Sequence, residues 1–384
     1  MAAVTVYFAT NRQPITEAGG GRIIDFGSEL GPVGGMSVRF GSAQVDVDLK
    51  AGTQRLVPGS LSVADETLAG PAGFAPKVGS RTIFDALRED MAKEGRPTLV
   101  VVHGFSNSFE NAIERAGWIL AFYGIDANVF AFSWPSRGSA GPIPLPYVDY
   151  VHDRGTAAAS GPAMARTMRI LHDYVDSLPE SNRCRQPIHL LCHSMGNFAL
   201  RHAVQALLRL PDTSLQTATP TGPARPMTFV DRADPDPVII RRTFDQIVLA
   251  AADEDDDAFD DEHKFKYLPR LGRSVTVYYT ERDWVLNTLS AKTKFNGPRL
   301  GTDGPDNMGP ISDKVSAVDV SDVIDFEEDV ESHQYYRIFP AVRDDIVAIL
   351  AGTRPDQIAN RQSLGGGRWR LTLARRPSVA RRRG

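Results

Sequence analysis

The chain has 384 residues, 42% hydrophobic and 23% charged, with a formal net charge of −4. That composition is globular, is long enough to bury one large core, and asks for neither a nucleic-acid nor a membrane partner. No stretch reaches the roughly 18 apolar residues that span a bilayer, and "MAAVTVYFATNR" lacks a secretory pattern, so a soluble, cytoplasmic protein without stable membrane insertion is expected.

Residues 1–80 are rich in Gly and Pro and carry short alternating segments, "VTVYFATNR", "MSVRFGSAQVDVDL" and "RLVPGSLSV", which predict antiparallel strands along one sheet edge. Beyond them, nearly continuous apolar runs occur at 98–104, 128–134, 188–194, 244–251 and 274–280. Each is β-branched or aromatic, as in strands covered on both faces. Helical candidates lie near 108–123, 156–177, 196–210 and 340–351. The alternation predicts a doubly wound, mostly parallel α/β sheet with antiparallel N-terminal strands, in a single domain over 1–355.

Two irregular stretches follow strand ends. "PSRGSAGPIPLPYVDYVHDRG" (135–155) is expected to wall a pocket, its Pro142, Pro144, Pro146, Tyr147 and Tyr150 making it partly apolar. The Pro-rich 211–243 is read as a lid or a surface loop, and 356–384 as a basic, partly disordered tail. Cys184 and Cys192 share one loop-and-strand segment and are expected not to bridge.

"PIHLLCHSMGNFAL" (187–200) runs from strand to helix through Ser194. A nucleophilic serine belongs on such a turn, with small residues two before and two after it. Gly196 meets the second demand, and Cys192 stands where glycine is usual. "VVVHGFSNSF" (100–109) ends an early strand with His-Gly, the kind of loop that lends an amide to an oxyanion hole; the donors would be the N–H groups of Phe105 and Met195. His103 is read as tying down this loop. Two acids follow strands, Asp283 in "YYTERDWVL" and Asp253 in "LAAADEDDDAF", with Asp283 favoured. His333, in a loop before the last helix, is the natural base. His263 sits in a polar, exposed context, and His202 lies inside the helix after Ser194.

The run 253–257 also raises a calcium loop, but Ala258 stands at the turn position and Glu262 is too near to close it. Neither metal nor cofactor is expected.

"VYFATNR", "VVHGFSNSFENA", "FAFSWPSRG", "HLLCHSMGN", "VLAAADED", "VYYTERDWVL" and the late His333-Gln334-Tyr335 occur in an order that resembles a family of bacterial α/β-hydrolases labelled as of unknown function. The resemblance spans most of residues 4 to 340 and implies an α/β-hydrolase fold with a triad of Ser194, Asp283 and His333. It also implies a pocket wall with Trp134 and Ser136 near the substrate site and Tyr150 and Asp153 in the element that follows; His103 is expected beside the same site. The chain departs from it at Cys192, where alanine is usual, in the length of 211–243, and after about residue 355. The expected reaction is hydrolysis of a small or lipid-like carboxylic ester. An amidase or thioesterase with the same triad, or a hydrolase fold that only binds, remain alternatives. The sequence leaves the oligomeric state open.

Overall fold

The computed structural model describes residues 2–66, 78–137, 146–209, 240–290, 298–325, 327–329 and 332–373. β1 (Ala2–Thr10) enters the main sheet. β2 (Arg12–Thr16) and β3 (Ile23–Leu30) form a separate hairpin. β4 (Arg39–Asp48), β5 (Thr53–Leu56) and β6 (Ser62–Val63) return to the main sheet as an antiparallel group. The chain then alternates α1 (Gly79–Glu94), β7 (Thr98–Val102), α2 (Phe109–Tyr123), β8 (Asn128–Ser133), α3 (Pro146–Ser177), β9 (Ile188–His193), α4 (Met195–Arg209) and β10 (Phe244–Ala250). β11 (Gly272–Tyr279), β12 (Val315–Asp319), α5 (Pro340–Leu350), β13 (Arg361–Gly365) and β14 (Arg368–Leu371) complete it.

The twelve strands lie in the order β13-β14-β12-β11-β10-β9-β7-β8-β1-β4-β5, with β6 also on β4. From β14 to β1 every neighbour is parallel. Strands buried on both faces explain the unbroken apolar runs. On one face α1, α3 and α4 bring Phe84, Met164, Met168 and Phe198 against the sheet. On the other, α2 and α5 bring Ile113, Ile119, Val342 and Ile346. α2 is delimited at both ends, by Ser108 and Asn111 in a capping box and by Gly124 in the left-handed conformation at φ 62°.

Three expectations change. The N-terminal segment does supply antiparallel edge strands, yet β1 itself lies parallel beside β8, inside the sheet. α3 begins at Pro146, so half of the stretch 135–155 is helical, and the helix continues through Gly155, Gly161 and Pro162. Tight packing accounts for Gly161, where a Cβ would come within 2.4 Å of His202 Cβ in α4. Finally, 361–371 is no tail but a hairpin on β12. Arg361 ties it down through two 2.7 Å bonds to the buried Asp345 of α5, whose Oδ1 also accepts from Tyr278 Oη. Nearly all of 211–243, and Pro142 and Pro144, lie outside the described residues. Cys184 and Cys192 are both free.

Candidate active site

β9 ends at His193, α4 starts at Met195, and Ser194 makes the whole connection with φ at 52°. A non-glycine residue there is strained by about 1–3 kcal/mol and must be held by its surroundings. Ser194 N donates to Ala250 O at 3.0 Å, while its carbonyl accepts from Asn197 Nδ2 at 3.0 Å and Asp253 N at 3.3 Å. Two glycines make room for the turn. A Cβ on Gly104 would lie 2.7 Å from Ser194 Cβ, and one on Gly196 would lie 2.6 Å from His103 O. Cys192 sits fully buried between Val102 and Leu249 of the flanking strands, so its side chain is small enough for the place glycine usually takes. Burial pushes its thiol far up, away from the reactive thiolate.

Asp283 follows β11 in a turn that its own Oδ1 closes by accepting from Leu286 N at 2.9 Å. Its Oδ2 lies 2.7 Å from His333 Nδ1, and both residues are buried. Burial pushes the Asp283 carboxyl above the usual range, and the His333 imidazole pulls it back. The His333 loop is fixed from several sides. Gln334 N donates to Asp329 Oδ2 at 2.8 Å, and Tyr335 Oη donates to Tyr278 O and accepts from Ala251 N, both at 2.7 Å. His193 Nε2 bonds His333 O at 3.0 Å, and the two rings lie 4.7 Å apart.

Asp253, the other candidate acid, is engaged elsewhere. Its Oδ1 accepts from Ser290 Oγ and its Oδ2 from Tyr150 Oη, both at 2.6 Å, with Arg154 at 3.7 Å. It buttresses the Ser194 turn through its backbone N–H, whereas the bond recorded for His333 Nδ1 goes to Asp283. His263 is exposed, and the His202 ring packs edge-on against Phe198.

Ser194 and His333 border one cavity of about 530 Å³, shared with Phe105, Trp284, Val285 and Leu289 on its apolar side and Arg115 and Arg337 among its polar groups. Gln54 of β5 also reaches it, so the N-terminal strands contribute to the wall. A separate apolar cavity of about 120 Å³, between α1, α3 and the sheet, contains none of these residues. Among the described residues no group of His, Cys, Asp or Glu could hold a metal ion, and no helix is long and apolar enough to cross a membrane.

The model of a family described as "alpha/beta hydrolase of unknown function (DUF900)" matches residues 81–354, well over half of the chain. The chain belongs to that family. Its fold is accordingly the α/β-hydrolase fold, and the blocks "VVHGFSNSFENA" through His333 fall inside the matched region. No curated protein matches the chain. Among solved structures, a lipase-esterase related protein from Clostridium acetobutylicum ATCC 824 is similar at 13% identity and a TM-score of 0.22, over 58% of this chain and 73% of that one. Phospholipase PlaB from Legionella pneumophila, solved in complex with thio-NAD, is similar at 11% identity and a TM-score of 0.21, over 62% of this chain and 41% of that one. Likeness at that level adds nothing to the family assignment.

In this α/β-hydrolase His103 ties down its loop as expected, and the other four residues expected near the substrate site join it in that role. His103, Trp134, Ser136, Tyr150 and Asp153 are all at most 5% exposed and do not border the cavity. They hold the 103–108 loop from behind. The rings of His103 and Trp134 stack 4.9 Å apart, and Trp134 Nε1 donates to His103 O at 2.8 Å. Asp153 Oδ2 accepts from Ser136 Oγ and from Ser106 N, and Asn107 N donates to Ser136 Oγ at 3.1 Å. Tyr150 packs its ring against Phe105 at 5.8 Å. Burial holds the His103 imidazole well below its usual pKa, with the nearby Arg12 charge adding to the effect.

The centre of this scaffold is a residue the sequence reading passed over. Arg12 is fully buried; its Nε donates to Ser133 Oγ at 2.8 Å, its Nη1 to Gly27 O and Ser136 O, and its Nη2 to Asn107 O at 2.7 Å. Burial lowers its pKa to about 9, with Asp153 opposing the shift. One guanidinium therefore joins the β2–β3 hairpin, the end of β8 and the loop that carries Phe105. The available signal was an Arg directly after a strand in "ATNR", a place where a solvated charge is the default reading.

Proposed function

We propose that this chain is a serine hydrolase acting on carboxylic esters, with Ser194 as nucleophile, His333 as base and then acid, and Asp283 as the group that orients His333. The observation that carries the reading is the 2.7 Å contact between His333 Nδ1 and Asp283 Oδ2, in a cavity wall shared with a serine at φ 52°. With Nδ1 engaged by the carboxylate, the proton sits on Nδ1 and the basic lone pair on Nε2, the tautomer that a serine hydroxyl needs.

In this mechanism Ser194 Oγ attacks the ester carbonyl as His333 Nε2 takes its proton. The backbone N–H groups of Phe105 and Met195 receive the oxyanion, the second of them at the start of α4, where helix polarity favours negative charge. His333 then protonates the departing alcohol. Water, deprotonated by the same ring, releases the acid and restores Ser194. Left-handed Ser106 at φ 58° and the Asn107 amide, which donates to the carbonyls of Gly104 and Phe105 at 3.0 and 2.8 Å, keep the loop in the shape this role requires.

Hydrolysis of 4-nitrophenyl butanoate by the wild type and by Ser194→Ala tests the reading. The variant should retain its circular dichroism and melting temperature and lose turnover; a folded variant that turns over at the wild-type rate would refute it.

A further inference from the structure

The cavity at Ser194 is chemically lopsided. Among the residues that border it, Phe105, Trp284, Val285 and Leu289 offer apolar surface, Arg115 and Arg337 carry positive charge, and none is an Asp or Glu. Its volume of about 530 Å³ falls within the range of small-molecule sites.

Arg337 is held at both ends. It closes the helical turn Tyr335–Arg337 that follows His333, its carbonyl accepts from Trp118 Nε1 at 3.1 Å, and its Nε donates to Gln334 Oε1 at 2.8 Å. Its Nη groups make no hydrogen bond or ion pair with any described residue. A half-buried guanidinium in that state retains a fork that matches a carboxylate or phosphate in geometry and charge. Arg115, in the second turn of α2, borders the same space.

We infer, on the basis of the serine-hydrolase reading, that the substrates are small esters bearing an anionic group, which docks on Arg337 with Arg115 beside it while the apolar part lies along Phe105, Trp284, Val285 and Leu289. The arginine charges act close to the reacting residues. Burial first, and then His333, Arg115 and Arg337, hold the His193 imidazole well below its usual value, and His193 directly precedes Ser194.

The test compares kcat/KM for two matched pairs: 4-nitrophenyl hexanoate against 4-nitrophenyl hydrogen adipate, and phenyl butanoate against 4-butanoyloxybenzoate. The first pair places the anion on the acyl side and the second on the alcohol side. The anionic member of at least one pair should lead by roughly tenfold. That lead should shrink in Arg337→Gln and vanish in Arg337→Gln/Arg115→Gln. In the wild type it should also fall as salt rises from about 50 to about 500 mM, a measurement that needs no variant. No anionic advantage in the wild type, or one that survives in the double variant, overturns the inference. Ser194→Ala in the same assays separates the two claims: turnover that survives it overturns the nucleophile, whereas Ser194-dependent turnover without anion preference overturns only the anion site.

Discussion

His333 Nδ1 lies 2.7 Å from Asp283 Oδ2, while both carboxylate oxygens of Asp253 accept from other side chains, Ser290 and Tyr150. Two acids that follow neighbouring strands are thus separated by their partners. Asp283→Asn should lower ester turnover on the order of 10⁴-fold, because the amide no longer holds the productive tautomer. Asp253→Asn should act on stability first, by weakening contacts to Tyr150 and Ser290, and should cost far less in turnover. Steady-state kinetics beside thermal melts of the two variants make the comparison.

Arg12 should be among the least replaceable residues for stability. Arg12→Met would leave the carbonyls of Gly27, Asn107 and Ser136 without their buried donor. A loss of about 3 kcal/mol or more in unfolding free energy is expected. Arg12→Lys should recover little of it, since one ammonium cannot reproduce a fork that reaches three segments. Urea unfolding of the two variants reads this directly.

Cys192 should tolerate shrinking and resist growth. Cys192→Ala keeps strand and helix in place and should leave turnover within a few-fold of wild type. Cys192→Leu must fit added carbons between Val102 and Leu249, at about 1–3 kcal/mol, and should shift the Ser194 turn. Gly104→Ala is the harsher neighbour, because its Cβ would lie 2.7 Å from Ser194 Cβ. Melting temperature and turnover, measured together, distinguish a misplaced serine from a weakened fold.

Acid should destabilise the fold through buried neutral histidines. Burial lowers His189 to about 4 and holds His103 and His193 well below 6.5. Their folded pKa values lie below their unfolded ones, so the unfolded chain binds the extra protons. The stability they support is present above about pH 6.5 and is lost as pH falls toward the folded values. At about pH 5.5 His189 should cost about 1.2 kcal/mol relative to neutral pH, and His103 and His193 act in the same direction. Chemical unfolding at several pH values checks the slope, and removing the imidazole in His189→Asn should flatten it by one histidine's share.

Much of this architecture was legible because strand burial on both faces writes itself as unbroken apolar runs, and "CHSMG" joins one such run to a helix. The company of His333 and Asp283 was legible from chain order. The second tier was not. His103, Trp134, Ser136, Tyr150 and Asp153 belong to the right blocks, yet which side of the 103–108 loop they occupy depends on how α3 and β8 pack, and no spacing encodes that. Arg12 was hidden for the same reason: only the folded chain brings Gly27, Asn107, Ser133 and Ser136 around one guanidinium. The hairpin at 361–371 was masked by an Arg-rich composition, although Arg361 meets a buried Asp345 at its base.

The most direct measurement is labelling with a fluorophosphonate probe, followed by intact-mass analysis and peptide mapping. The account predicts a single adduct on Ser194, formed by the wild type, slowed strongly in His333→Ala and absent in Ser194→Ala. A folded wild-type protein that takes up no probe, or one that carries it on a residue other than Ser194, would contradict it.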